Sequence, residues 1–381
     1  MTTSRDTDEL FIRRALELAA QGVGLTSPNP CVGAVIVDAN GAIVGTGSHT
    51  YDGLKHAEIL ALEQAGEKAR GATLYVNLEP CSHHGRTAPC ADAVVGAGIS
   101  RVVACMQDPN PLVSGQGFAK LRSAGISVSS GVLEDEAKTL NESFAKYIRH
   151  HTPLVTLKAA MTLDGKIAPP PRPAAGDSPR ANWITGEAAR AHGQELRHQH
   201  DAILVGVGTV IADDPLLTDR SGRPRRRPLL RVILDSRLRL PIDSRLAKTA
   251  QEDVLVLCSF ADEKKKQQLA KLGIRVEQLP TATSDGHPDM AAVASFLGEM
   301  EIASLMIEGG SIVNADALAS GIVDKIFFYY APRILGGASV PFAAGAGFAS
   351  IADAACVKSL RLHRFGEDFA VEGYLKDPYR D

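Results

Sequence analysis

The sequence predicts an α/β protein built of two domains. Short β-branched runs alternate with stretches of helical periodicity along the whole chain. At 381 residues the chain exceeds one domain, since domains usually hold roughly 100–200 residues. The pattern restarts at His150-His151-Thr152-Pro153, and no internal repeat joins the two sides. The expected domains are residues 1–150 and 151–381.

Taken in order, Leu10, Ile12, Ala15, Leu16, Leu18 and Ala19 recur at helical spacing, and Thr26-Ser-Pro-Asn-Pro30 ends that helix. Val32–Val37 reads as a strand, Asn40-Gly41 as a hairpin turn and Ala42–Gly47 as the returning strand. His56–Ala69 is helical, Ala72–Leu78 a strand, Ala91–Ala97 a helix and Arg101–Cys105 a buried strand. In the second half Leu154–Ala160 is a strand, residues 169–179 a Pro-rich loop and Glu187–His198 a helix. Asp201–Gly206, Leu229–Leu234, Asp253–Leu257, Ser304–Ile307 and Lys325–Tyr330 are further strands, with helices between several of them.

Composition excludes several classes. The chain is 45% hydrophobic and 22% charged, enough apolar material for two cores and too much for a disordered chain. The net charge of −3 shows no basic excess for nucleic acid. Arg223-Pro-Arg-Arg-Arg227 reads as a solvated loop, short and without interleaved aromatics. No secretory signal opens the sequence, and six unevenly spaced cysteines do not form a disulfide framework, so a cytoplasmic protein is expected. Ile334–Ala352 carries no charge, but its Gly, Ala, Ser and Pro make a poor membrane span; it reads as loop and buried turn.

The chemistry concentrates in His56-Ala57-Glu58, Pro80-Cys81 and Cys90. One imidazole and two thiolates suit tetrahedral zinc and leave a fourth position for water. Glu58, two residues from the His at a helix start, is placed to shuttle protons without binding metal. His-x-Glu followed by Pro-Cys-x-x-Cys is the pattern of zinc base deaminases. Here eight residues, not two, separate Cys81 from Cys90. The alternative is two unrelated buried cysteines and a surface His. His83 and His84 stand as substitute ligands or as part of a polar loop over substrate.

These residues resemble a known family. Thr26-Ser-Pro-Asn-Pro-Cys-Val-Gly33, His49, His56-Ala-Glu58 and Cys81-Ser-His-His-Gly-Arg-Thr-Ala-Pro-Cys90 are similar to the riboflavin-pathway branch of the cytidine-deaminase-type zinc enzymes, whose mark is the long Cys spacing. Leu157-Lys-Ala-Ala-Met-Thr-Leu-Asp-Gly-Lys166, Trp183-Ile-Thr-Gly186, Gly206-Val-Gly-Thr-Val-Ile-Ala-Asp-Asp-Pro215, Leu234-Asp-Ser236 and Ile307-Glu-Gly-Gly310 resemble the reductase domain of the same bifunctional family. The resemblance covers nearly the whole chain; the Pro-rich loop 169–179 looks longer than usual. It implies a cytidine-deaminase-like three-layer domain followed by a dihydrofolate-reductase-like domain. The implied reactions are zinc-dependent deamination of 2,5-diamino-6-(5-phosphoribosylamino)pyrimidin-4-one, then NADPH-dependent reduction of its ribosyl group to ribityl.

The resemblance also implies roles. Zinc sits on His56, Cys81 and Cys90, and Glu58 is the general acid/base. Asn29 and His49 hold substrate, although Asn29 also suits a plain turn before Pro30. Ala160, Trp183, Thr209, Asp213, Ser236 and the Gly310 stretch line the NADPH site; Arg197, Leu217, Arg220 and Glu308 contact substrate. Asp213 also suits a turn-initiating role, and Lys158 lies either near the active site or in solvent. A small-molecule substrate and a homo-oligomer, dimer or tetramer, complete the expectation. The competing readings are a nucleoside or tRNA deaminase with an appended nucleotide-binding domain, and a structural zinc module joined to a nucleotide sensor.

Overall fold

The computed structural model describes residues 4–83, 88–170, 183–281 and 286–380. His84 and most of the Pro-rich loop, residues 171–179, lie outside the described residues. The chain forms two compact units: Met1–His150 with Pro224–Arg227, and His151–Arg223 with Pro228–Asp381.

The first unit runs α1 (Ser4–Ala20), β1 (Gly33–Val37), β2 (Ile43–Ser48), α2 (Ala57–Ala65), β3 (Thr73–Leu78), α3 (Cys90–Gly96), β4 (Arg101–Met106), α4 (Gln116–Ser123), β5 (Ser127–Ser130), α5 (Glu134–Leu140) and α6 (Glu142–His150). Its sheet order is β2-β1-β3-β4-β5, with β1 antiparallel to both neighbours and β3-β4-β5 parallel. Gly41, at φ 81°, closes the β1–β2 hairpin where the Asn-Gly pair predicts it. The faces of β2 alternate: Ser48 Oγ bonds the Leu18 carbonyl of α1, and Gly47 on the other face meets α2. At Gly47 a Cβ would fall 2.0 Å from the Ala57 carbonyl oxygen. Only glycine lets the first turn of α2 lie this close to the sheet.

The second unit comprises β6 (Leu154–Thr162), β7 (Lys166–Ala168), α7 (Glu187–Gln199), β8 (Ala202–Gly206), α8 (Val207–Asp213), β9 (Leu230–Leu234), α9 (Arg245–Lys248), β10 (Val254–Cys258), α10 (Glu263–Ala270), β11 (Ile274–Gln278), α11 (Met290–Glu299), β12 (Ser304–Gly309), α12 (Ser311–Ala319), β13 (Lys325–Ala331), β14 (Val340–Pro341), β15 (Lys358–Phe365) and β16 (Asp368–Tyr374). Nine strands pair in the order β11-β10-β9-β8-β12-β6-β13-β16-β15, parallel from β11 to β13 and antiparallel beyond. Parallel strands covered on both faces are apolar throughout rather than alternating. Accordingly Ile203 and Val205 enter one core while Ala202 and Leu204 enter the other.

Three expectations change. Ile334–Ala352 is a loop, but an exposed one, with Ile351 95% accessible. Its short strand β14 pairs only with β7. The Arg223–Arg227 run is not simply solvated. Arg226 stacks 3.4 Å from the Tyr51 ring centroid and bonds the Ser27 carbonyl at 2.6 Å. Planar guanidinium favours such stacking. Finally, the helix expected over His56–Ala69 ends as α2 at Ala65, and Gly66–Ala69 is a 3₁₀ turn.

Arg231 on β9 is 1% exposed, unusual for arginine inside a strand. It donates to Asp253 Oδ1 (2.7 Å), the Thr249 carbonyl (2.9 Å) and the Leu216 carbonyl (3.0 Å). It thereby ties the segment after α8 to the sheet. Replacement by Met strands the Asp253 carboxylate, and breaking a buried pair from one side costs about 3–5 kcal/mol. Urea unfolding followed on the second unit is expected to shift to a lower midpoint by that amount in Arg231→Met.

Candidate active sites

The first site is built where two helices begin. His56 is extended, φ −73° and ψ 157°, at the N-cap of α2, and Ala57-Glu58 form its first turn. Pro89 holds extended backbone before Cys90, the first residue of α3. Cys81 follows Glu79-Pro80 at the end of β3. The long gap between the cysteines is closed by two bonds to Cys81, from the Cys90 N–H to Sγ (3.3 Å) and from the Ala91 N–H to the carbonyl (3.0 Å).

His56 Nδ1 lies 3.2 Å from Cys90 Sγ and 3.6 Å from Cys81 Sγ, and all three ligand atoms fall within 4.8 Å of one another. Zinc bonds of about 2.0–2.3 Å in a tetrahedron require ligand atoms ~3.3–3.8 Å apart. The donor set fits zinc. Glu58 is 3% exposed, and its Oε2 has no hydrogen-bond partner. A buried carboxylate oxygen left open beside three metal donors is arranged for a reactant. Burial, then the charge of Cys81, pushes the Glu58 carboxyl up to about 7 in the metal-free arrangement. The hydrogen bond with the Cys90 thiol, assisted by His56, brings Cys81 down to about 4, so Cys81 is the thiolate of the pair. The Cys90 thiol is pushed up for the same reason.

These groups open on a cavity of about 280 Å³, also lined by Asn29, His49, His83, Asp108 and Asn110. Asn29 Nδ2 and His49 Nε2 lie 3.2 Å apart, and His49 Nδ1 meets the Lys55 carbonyl at 3.0 Å. Glu79 positions the far wall. Its Oε2 accepts from the Asp108 and Gly115 N–H groups (3.0 and 2.9 Å) and its Oε1 from Phe118 (3.1 Å). Burial raises the Asp108 carboxyl to about 6. Sequence reasoning missed Glu79, Asp108 and Asn110. The signal was present in Asp108-Pro-Asn-Pro111, a turn directly after an apolar strand.

The second site is a cavity of about 570 Å³ at the carboxyl ends of β6, β8, β9 and β12, where open parallel sheets place ligands. Ala160, Thr209, Asp213, Ser236, Glu308 and Gly310 line it, with Lys158. Gly309 and Gly310, at φ 77° and 106°, make the turn from β12 into α12. A Cβ on Gly309 would fall 2.2 Å from Asn314 Oδ1. Glu308 forms a bidentate pair with Arg197, Nε–Oε1 2.7 Å and Nη2–Oε2 2.9 Å, and Lys158 Nζ stands 3.8 Å away. Burial alone would raise the Glu308 carboxyl, but Lys158 and then Arg197 outweigh it and hold it at about 2.

The other expected residues are not among those that line this cavity. Arg197 touches it through Glu308. Leu217 is 3% exposed in the core, so its side chain does not face the cavity. Trp183 is 49% exposed with Arg190 stacked at 3.8 Å, and Arg220 is exposed. Arg239, His287 and Asp316 also line the cavity, and sequence reasoning missed them.

Fold and site together define a zinc-type deaminase domain joined to a nucleotide-cofactor reductase domain. Residues 5–106 match the model for the cytidine and deoxycytidylate deaminase zinc-binding region, and residues 153–371 match the RibD C-terminal domain. The chain is 44% identical over 375 residues to riboflavin biosynthesis protein RibD of Actinobacillus pleuropneumoniae, covering 98% of this chain and 96% of the relative. It is 40% identical over 372 residues to its counterpart in Escherichia coli, covering 95% and 97%. Acinetobacter baumannii RibD superposes with a TM-score of 0.82 at 36% identity, covering 97% and 99%. A diaminohydroxyphosphoribosylaminopyrimidine deaminase/5-amino-6-(5-phosphoribosylamino)uracil reductase from Thermotoga maritima gives 0.81 at 36% identity, covering 98% and 99%. The chain belongs to the RibD family of riboflavin biosynthesis, the bifunctional deaminase/reductases.

Two predictions follow from the geometry. Cys90→Ser, which replaces a thiolate by a weaker ligand, is expected to purify with well under one equivalent of zinc by elemental analysis, against one for the wild type. Glu308 has a folded pKa of about 2 against an ordinary 4.5. Its ionisation therefore stabilises the fold fully above pH about 4.5, and that contribution is lost as pH falls toward 2. Acid unfolding of Glu308→Gln should consequently lack the part of the pH dependence that the wild type shows in this window.

Proposed function

We propose that the chain carries out two successive steps on one small pyrimidine, 2,5-diamino-6-(5-phosphoribosylamino)pyrimidin-4-one: hydrolytic loss of a ring amino group, then reduction of the ribosyl chain to ribityl. The observation that carries this reading is the unpartnered, buried Glu58 Oε2 beside the His56, Cys81 and Cys90 donors. Zinc on these donors supplies Lewis acidity that brings a water's pKa toward ~7. Glu58 accepts the proton of the attacking water and returns it to the departing amine, a role suited to a buried carboxylate oxygen without a hydrogen-bond partner among the described residues. Asn29 and His49, already paired, orient the pyrimidine against the Asp108–Asn110 wall.

In the second unit NADPH supplies the hydride. The Gly309-Gly310 turn and the first turn of α12 let backbone N–H groups approach its phosphates. Ala160, Thr209, Asp213 and Ser236 line the cofactor's bed, and exposed Trp183 contacts the cofactor in the same reading. Glu308, kept ionised by Lys158 and Arg197, orients the ribosyl hydroxyls. Exposed Arg220 takes the substrate phosphate, and Leu217 contacts substrate in the same reading. No helix among the described residues is long and apolar enough to cross a membrane. A cytoplasmic homo-oligomer belongs to this reading, supported by Leu360 and Leu362, 61% and 76% exposed on the edge strand β15.

The test offers zinc-loaded protein the diaminopyrimidine ribosyl phosphate and follows ammonia and NADPH together. Ammonia is expected without NADPH, and NADPH oxidation only after deamination. Glu58→Gln is expected to retain zinc and lose ammonia release by at least ~10²-fold. Ammonia release undiminished in that variant would remove Glu58 from the chemistry. Ammonia with no NADPH oxidation would refute the second step.

A further inference from the structure

NADPH differs from NADH by one phosphate on the adenosine ribose, so a residue that separates the two must stand far from the hydride. The substrate-side charges, Lys158 and Glu308, lie on β6 and β12. The opposite end of the cavity follows β9 and is lined by Ser236 and Arg239. From β6 to β9 the sheet order crosses β12 and β8, three inter-strand steps, or ~14 Å at about 4.8 Å per step. That separation places Arg239 at the end remote from the chemistry, where an extended dinucleotide puts its adenosine.

The surroundings of Arg239 suit a dianion. Its side chain is 61% exposed, and Asp235, at 3.6 Å, is its only ion-pair partner among the described residues. Asp235 is fully buried, and its Oδ2 is fixed by the Leu240 N–H at 2.7 Å. The ion pair is made through Nε, so the two terminal Nη groups of the guanidinium are not part of it. Asp316, another acidic group of the lining, is paired with His287 at 2.9 Å. Arg237, two residues away, is exposed and lies outside the lining. Among the described lining residues Arg239 is the one arginine, and arginine binds a phosphate through two parallel N–H donors.

We infer that Arg239 receives the 2′-phosphate of the cofactor and thereby sets the preference for NADPH over NADH. The inference rests on reading this cavity as the cofactor site. Its test is cofactor binding to the full zinc-loaded chain, measured for NADPH and NADH by calorimetry, with no turnover. Arg239→Gln should weaken NADPH by about ten- to a hundredfold, the size of a lost hydrogen bond between charged groups, and leave NADH unchanged. Arg239→Lys keeps the charge without the fork and should fall between. Arg237→Gln, of equal charge change, should alter neither. An unchanged urea-unfolding midpoint of the second unit in Arg239→Gln shows that the unit carrying the substitution is folded. Equal weakening of both cofactors, or no change in NADPH, overturns the assignment. Wild-type protein that binds neither cofactor overturns the cofactor site itself, and is seen before any variant is made.

Discussion

The first unit depends on one constraint: the first turns of α2 and α3 must begin at the same place. His56 caps one helix and Cys90 opens the other, and their ligand atoms stand 3.2 Å apart. Helix starts carry unpaired N–H groups and a positive field. At Glu58 and Cys90 burial and the neighbouring charges outweigh this field and push both groups up, while Cys81, at the end of β3, is lowered by its hydrogen bonds from Cys90 and His56. Gly47 makes this convergence possible, because it lets the Ala57 carbonyl press onto β2. Glu79 completes the site from the opposite side by tying the 108–118 segment to the end of β3.

The second unit solves a different problem. Its core is satisfied by strands apolar on both faces, so polar chemistry is confined to the strand ends. There Glu308 leaves β12 between Lys158 and Arg197. A carboxylate so flanked keeps its charge despite burial. One residue later the chain turns through two glycines with positive φ, which open α12 toward the cavity. An ionised group for polar substrate atoms and a bare backbone for phosphates therefore lie side by side. Neither needs a nucleophile, which accords with hydride transfer, where the protein supplies position and field.

The hydrolytic centre keeps an unsatisfied buried oxygen for a reactant, whereas the reductase cavity keeps its carboxylate fully paired. The contrast follows from the chemistry. In the proposed reading Glu58 exchanges a proton and Glu308 holds one charge state; burial pushes the first carboxyl up, and Lys158 and Arg197 hold the second well below its ordinary value.

Much of this was legible in the sequence. Periodicity located α7 and most strands within a residue or two, because one-sided or two-sided burial writes itself into apolar spacing. The Asn40-Gly41 turn and the helix expected at Ala91–Ala97 were local and therefore readable. His56, Cys81 and Cys90 stood out because metal ligands are few in chemical type and fixed in order, and Glu58 because it follows the His by two residues. Other features were decided only by tertiary structure. Glu79, Asp108 and Arg239 are ordinary charged residues until a distant segment packs against them. Leu217 turned inward and Arg226 found Tyr51 because burial depends on what lies opposite, which a linear pattern does not record. The sequence by itself determined the class of each half and the metal donors, since these are properties of residue type and local spacing. Only the fold decided which charges are paired, which oxygen is left open and which arginine faces the cavity, since each depends on contacts between residues far apart in the chain.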